Sequence, residues 1–141
     1  MKVLFICRSN AGRSQVAAAY FERLTKKNTC KSAGVDTKAE NMVGKSPGSL
    51  SILTLKKEGI DISRRRRKQV TLKMLGEADK VVILMTEKER RKFLPRYFDA
   101  FADKTVLWSV VDMRHTRSVN IILKRNGQIK RLAESLVSEI G

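Results

Sequence analysis

An alternation of strand-like and helix-like segments predicts that this 141-residue chain folds as an α/β domain, a doubly wound four-stranded parallel sheet with helices on both faces. Three observations carry the prediction. Short aliphatic runs recur between stretches of helical apolar spacing, those runs are apolar at nearly every position instead of every second, and no repeat or low-complexity tract breaks the pattern. The length suits one domain over residues 1–141, with a core that needs no disulfide or metal.

Residues 2–6 form the first strand, because a run without alternation is what burial on both faces requires. Val16, Tyr20 and Leu24, flanked by Ala17 and Phe21, make one apolar stripe and predict a helix over 13–27. Residues 30–35 read as a second strand and 36–48 as loop. Ser46 and Pro47 supply a cap and a first-turn residue for a second helix, with Leu50 and Leu53 as its apolar face and Gly59 as its stop. After the charged connection "GIDISRRRRKQVT" a short helical segment covers 71–76. "KVVILM" at 80–85 is the third strand, and Thr86 with Glu89 makes a capping box for a helix that Pro95 closes. "KTVLWSVVD" is a fourth strand ending near Asp112. Ile129, Leu132, Ala133, Leu136, Val137 and Ile140 mark a long last helix that starts near Ser118 and is weakened at Gly127.

Lys and Arg number 30 against 14 Asp and Glu, a net charge of +16. Such a surface attracts anions, so nucleic acid, an anionic membrane face and a phosphorylated substrate are all candidate partners. The two cysteines, Cys7 and Cys30, make no disulfide framework and fit no common zinc spacing, which suits a reducing, cytoplasmic location. The N-terminal apolar run breaks at Cys7 and Arg8, short of a secretory signal, and "VVILM" is too short to span a membrane, so a soluble protein without a membrane partner is expected.

Ligands of doubly wound sheets bind beyond the carboxyl ends of the strands, where Cys7 and Asp112 are expected. Between Cys7 and the helix at Arg13, the short loop of Arg8, Ser9, Asn10, Ala11 and Gly12 can turn successive N–H groups inward as an anion nest, and the helix terminus adds partial positive charge. Oriented donors of this kind favour the thiolate form of a cysteine. Cys7 is then the candidate nucleophile for a phosphoryl group, and Arg13 offers a planar fork for two of its oxygens. Ser14 can donate a hydrogen bond to the sulfur, and Asn10 can brace the loop through its amide. A phosphate or sulfate ion is the expected occupant, with no metal and no cofactor in the chemistry.

These residues resemble the low-molecular-weight protein tyrosine phosphatase family and its relatives, the thioredoxin-coupled arsenate reductases, over essentially the whole chain. "CRSNAGRSQ" is similar to the family's phosphate-binding loop, and "SAG" at 32–34, "GIDIS" at 59–63, "KQVT" at 68–71, "ADKVVILM" at 78–85 and "WSVVD" at 108–112 recur in the family's order. The resemblance implies a flavodoxin-like fold with Cys7 as nucleophile, Arg13 as phosphate clamp, Ser14 and Asn10 as support, and Asp112 as the acid that protonates the leaving oxygen. A neighbouring thiolate and phosphate would raise the pKa of Asp112 and suit it to that step.

The chain departs from the family's pattern at several places. Met113 stands where proline usually follows the acid, and Arg114 and His115 stand where the phosphatases often place aromatic residues. Asn41 and Met42 offer no aromatic either, so a phosphotyrosine ring loses stacking partners and a smaller or more anionic substrate is favoured. Gly12 replaces a cysteine that many members carry, and Met85 and Lys92 align with the reductases' relay cysteines. Cys30 is expected to be small core filler. The run Arg64 to Arg67 suits an electrostatic funnel near the site mouth, or a solvated loop.

Three functions follow in order of support. The first is a phosphomonoester hydrolase working through a cysteinyl phosphate on a phosphorylated protein or small phosphomonoester. The second is an arsenate reductase using an external thiol. The third is a basic polyanion-binding module, weakened for nucleic acid because no aromatic interleaves the arginines.

Overall fold

A computed structural model describes residues 1–141. Its elements are β1 (Lys2–Cys7), α1 (Arg13–Leu24), β2 (Thr29–Gly34), α2 (Ser49–Lys56), α3 (Leu72–Glu77), β3 (Lys80–Leu84), α4 (Glu87–Phe93), a 3₁₀ segment (Arg96–Lys104) kinked at Phe101, β4 (Thr105–Trp108) and α5 (Val119–Ile140). The four strands form one parallel sheet in the order β2-β1-β3-β4. The chain leaves β1 to one side and returns on the other, so the strand order reverses between β1 and β3. Loops at the carboxyl ends of these two strands diverge and leave a crevice between them.

The two central strands, β1 and β3, are apolar after their first lysine because each serves two cores. Val3, Phe5 and Cys7 point to a layer made by α1, α2 and α5, while Leu4 and Ile6 point to a layer containing Leu75, Ala78 and Phe98. On the first side the Phe5 ring meets Phe21 of α1 at 5.5 Å edge-on and Trp108 of β4 at 5.9 Å. Both Phe5 and Phe21 are fully buried. No helix is long and apolar enough to cross a membrane.

Several boundaries differ from the sequence expectation for local reasons. Helix α1 stops at Leu24, three residues early, because Thr25 turns extended and its N–H closes onto Phe21 O at 2.9 Å. Helix α2 begins at Ser49 with Gly48 as cap, so Ser46 and Pro47 lie in the approach, where Ser46 O accepts from Arg67 Nε. Its inward face carries Ser51, Thr54 and Leu55, whereas Leu53 is 45 % exposed. Strand β4 ends at Trp108, because the neighbouring β3 runs out at Leu84, and Asp112 therefore sits on the loop beyond it. Helix α5 runs unbroken through Gly127, its stripe of Ile122, Ile129, Ala133 and Leu136 buried against the body of the protein.

The capping box at Thr86 and Glu89, the Ser118 cap and the left-handed Gly59 stand where the sequence places them, and the short helix expected over 71–76 is Leu72–Glu77 with Thr71 as its cap. Because Phe21 fills the middle of the α1 layer with no polar contact, Phe21→Ala is expected to destabilise the fold by about 3–5 kcal/mol. A urea titration should show the midpoint falling at unchanged slope.

Candidate active site

Between Cys7 and Arg13 the backbone forms a cradle whose carbonyls all point outward. Cys7 O accepts from Val35 N at 3.1 Å, Arg8 O from Asp36 N at 2.8 Å, and Ser9 O from Thr37 Oγ1 at 3.0 Å. Asn10 O accepts from Gln15 Nε2 at 3.3 Å, Ala11 O from Gly48 N at 2.9 Å, and Gly12 O from Val16 N at 2.8 Å. In a trans peptide the carbonyl and the next N–H point opposite ways, so tethering these oxygens outside turns the following amides toward the loop's interior. No side chain caps α1, which leaves its first N–H groups available to an anion as well.

The loop closes this tightly because two positions permit it. Asn10 takes a left-handed φ of 56°, which asparagine tolerates better than most residues. Gly34, at the end of β2, lies so close that a Cβ there would stand 2.8 Å from both Arg8 O and Asn10 N.

Buried side chains fix the polarity around Cys7. Asn10 Oδ1 accepts the Lys68 backbone N–H at 2.9 Å, and this donor settles the orientation of the amide. Asn10 Nδ2 then donates to Ser14 Oγ at 2.7 Å and Ser32 Oγ at 3.1 Å. Ser14 Oγ lies 2.9 Å from Cys7 Sγ, and with its lone pair taken by Asn10 its own proton is free to face the sulfur.

Arg13, only 3 % exposed, is gripped end-on by Glu89: Nη1 donates to Oε1 and Nη2 to Oε2, both at 2.8 Å, while Nη1 also donates to Val110 O at 2.8 Å. A guanidinium has about five N–H donors. The Nε–H and the second Nη2–H, parallel along one edge, remain for an incoming oxyanion. Burial alone would pull the Arg13 pKa down, but the Glu89 hydrogen bonds and charge, with Cys7 and Asp112, hold it above its ordinary value. Burial would push Glu89 up, yet Arg13 and the Thr86 cap hold it below the usual carboxylate range.

Asp112 Oδ2 lies 3.8 Å from Arg13 Nη2 and accepts from Arg114 Nε at 2.8 Å. Its pKa lies below the ordinary value, opposite to the expected rise: burial pushes it up, and the two guanidiniums of Arg13 and Arg114 outweigh that. Arg114 also donates to Glu40 Oε2 at 2.8 Å and to Ser9 Oγ, so it ties the Asp112 loop to the cradle.

These loops enclose a cleft of about 460 Å³. Cys7, Ser9, Ala11, Gly12, Arg13 and Asp112 line it. The side chains of Arg8, Asn10 and Ser14 do not: Arg8 turns out to pair with Asp36 and stack 3.8 Å over Phe93, and the other two lie beneath the loop. None of Arg64 to Arg67 lines the cleft. The backbone of this stretch instead buttresses the loop, with Arg66 O accepting from Gln15 and Lys68 N donating to Asn10. Cys30 pairs with Val3, four registers from Cys7, and is half-buried, its thiol pushed up to about 12 by burial and by Glu22.

Sequence reasoning did not assign Glu89, Arg114 or Arg125 to the site. Glu89 was visible only as a cap, and Arg125 and Asn126 lie ahead of the apolar stripe that the sequence marks from Ile129, on the buried face of α5. Because Glu89 holds the buried Arg13 guanidinium through two hydrogen bonds as well as its charge, Glu89→Ala is expected to cost about 3–5 kcal/mol of stability, read by thermal unfolding.

Low molecular weight phosphotyrosine protein phosphatase is the family whose pattern matches, over residues 2–133. No curated protein matches the chain. Among solved structures, a low molecular weight protein tyrosine phosphatase from T. tengcongensis superposes with a TM-score of 0.85 at 29 % identity, covering 99 % of both chains. Wzb of Vibrio vulnificus, in complex with benzylphosphonate, gives 0.89 at 18 % identity over 99 % of this chain and 98 % of that one. The YwlE arginine phosphatase of Geobacillus stearothermophilus gives 0.85 at 22 %, over 99 % and 92 %. The last two likenesses concern the fold. With the family pattern spanning nearly the whole sequence, this chain belongs to the low molecular weight phosphotyrosine protein phosphatase family.

Proposed function

We propose that the chain hydrolyses phosphomonoesters through a cysteinyl-phosphate intermediate on Cys7. The observation that supports this most is the joint placement of Cys7 Sγ, the inward amides and the free edge of Arg13 around one cleft. The Cys7 thiolate attacks phosphorus in line, the bond from phosphorus to the ester oxygen breaks, and Asp112 gives its proton to that oxygen. Water then attacks the thiophosphate, passing a proton to the Asp112 carboxylate, and the S–P bond breaks to release phosphate and restore the thiolate. Arg13 and the loop amides carry the charge that gathers on the phosphoryl oxygens. The Ser14 hydroxyl steadies the sulfur as nucleophile and as leaving group.

Arsenate reduction is the weaker reading. Met85 is buried, Lys92 is exposed and Cys30 lies at the far end of its strand pair, so a thiol from outside the chain would have to resolve Cys7.

Hydrolysis of para-nitrophenyl phosphate with EDTA present tests the reading. Cys7→Ser should lower kcat by at least about 10³-fold and Asp112→Asn by about 10²-fold. A Cys7→Ser variant with the wild-type rate would sink it.

A pH profile tests the acid. A general acid acts only while protonated, so kcat/KM falls as pH rises through the Asp112 pKa, which Arg13 and Arg114 hold low. Arg114→Gln removes one of those cations and should move the alkaline limb to higher pH. An unmoved limb would take Asp112 out of that role.

A further inference from the structure

Arg125 of α5 is the buried cation that the phosphoryl chemistry leaves unused. It is 6 % exposed, and its partners are neutral. Nε and Nη2 donate to Asn126 Oδ1 at 3.3 and 3.0 Å, and Nη2 donates to Ser51 Oγ at 3.1 Å. This seat is itself built. Thr54 gives its proton to Leu50 O at 2.7 Å and accepts from Asn126 Nδ2 at 2.9 Å, which fixes the Asn126 oxygen toward Arg125.

Both N–H donors of Nη1 lack a partner within the chain. They are not sealed in, since Arg125 lines the cleft and the fully buried side-chain atom left without a partner is Glu40 Oε1. A Cβ on Gly12 would stand 2.9 Å from Nη1, so the guanidinium lies alongside the phosphate loop because residue 12 has no side chain. Burial pulls Arg125 down to about 10, with Cys7 and Asp112 drawing it up and Arg13 pressing it down, so it stays charged at neutral pH. A buried cation held only by neutral groups is costly, and it becomes favourable when an anion meets it.

We propose that Arg125 is a second anion subsite, and that the substrate is a compact phosphomonoester bearing a further anionic group a short spacer from the first. The proposal rests on the loop from Cys7 to Arg13 being the phosphoryl site. The cleft composition agrees with it: Arg13, Arg114, Arg117 and Arg125 line the walls against the single carboxylate of Asp112, and no aromatic side chain is among the lining residues. Service to the Cys7 sulfur is the competing role. Yet the hydrogen-bond partner of Sγ is Ser14, and Nη1 makes no bond to the sulfur.

Calorimetric titration with methylphosphonate and with methylene-, ethylene- and propylenebisphosphonate separates the roles without requiring turnover. The best bisphosphonate should bind wild type about tenfold or more tighter than methylphosphonate. Arg125→Met should bring that ratio close to one, and Arg125→Lys should keep part of it. Equal affinities in wild type, a ratio that survives Arg125→Met, or equal weakening of all four ligands would overturn the subsite. Should Arg125→Met fail to fold, the wild-type ratio and its reduction in Arg125→Lys still decide. If wild type binds none of the four and is also inert toward para-nitrophenyl phosphate, the phosphoryl site itself is wrong and the subsite falls with it. If it binds methylphosphonate alone, only the subsite falls.

Discussion

The outward tethering of six successive carbonyls, from Cys7 to Gly12, is the constraint on which the rest of the site depends. A peptide chain cannot present a row of amides to an anion unless something holds the oxygens on the other side. Here the holders come from the end of β2 and the turn after it, from α1 itself, and from the approach to α2. Each has its own place in the sheet or the layer above it. The cradle is therefore a product of the fold as a whole: the loop sequence supplies the left-handed Asn10, and the end of β2 supplies the missing side chain of Gly34.

The four strands and the loop at Cys7 were legible in the sequence because they follow from short-range rules: uninterrupted apolar runs, caps, and a thiol at the end of a strand. The start of α2 and the extent of β4 were not, because they are decided by partners far away. Ser46 is a good cap by type, but Gly48 N is already committed to Ala11 O, and the helix starts after it. Leu53 is apolar and exposed because the inward face of α2 is given to Ser51 and Thr54, which face Arg125 and Asn126. The pKa direction of Asp112 was missed for a related reason, since Arg114 read as a missing aromatic and not as a cation paired with the Asp112 carboxylate.

Charge in the site is organised by hand-offs between arginines and carboxylates. Glu89 binds the end of Arg13 and leaves its edge free, while Arg114 joins Asp112, Glu40 and Ser9 across three loops. The net basic character of the protein thus has a local counterpart, in which fixed pairs set geometry and the unpaired donors face the cleft.

Glu89 also has a second duty, as the residue that closes the first turn of α4 through Thr86. That helix has seven residues and no fully buried side chain, and its other anchors are the Phe93 ring under Arg8 and the Arg90 hydrogen bond to Met85 O. Loosening of its first turn would loosen the grip on the Arg13 guanidinium, which keeps Val110 O as a partner. Short, solvent-facing segments open locally at free energies well below that of the whole domain. One carboxylate thus serves both the turn of a short helix and the grip on a buried guanidinium, so a change in either is felt by the other.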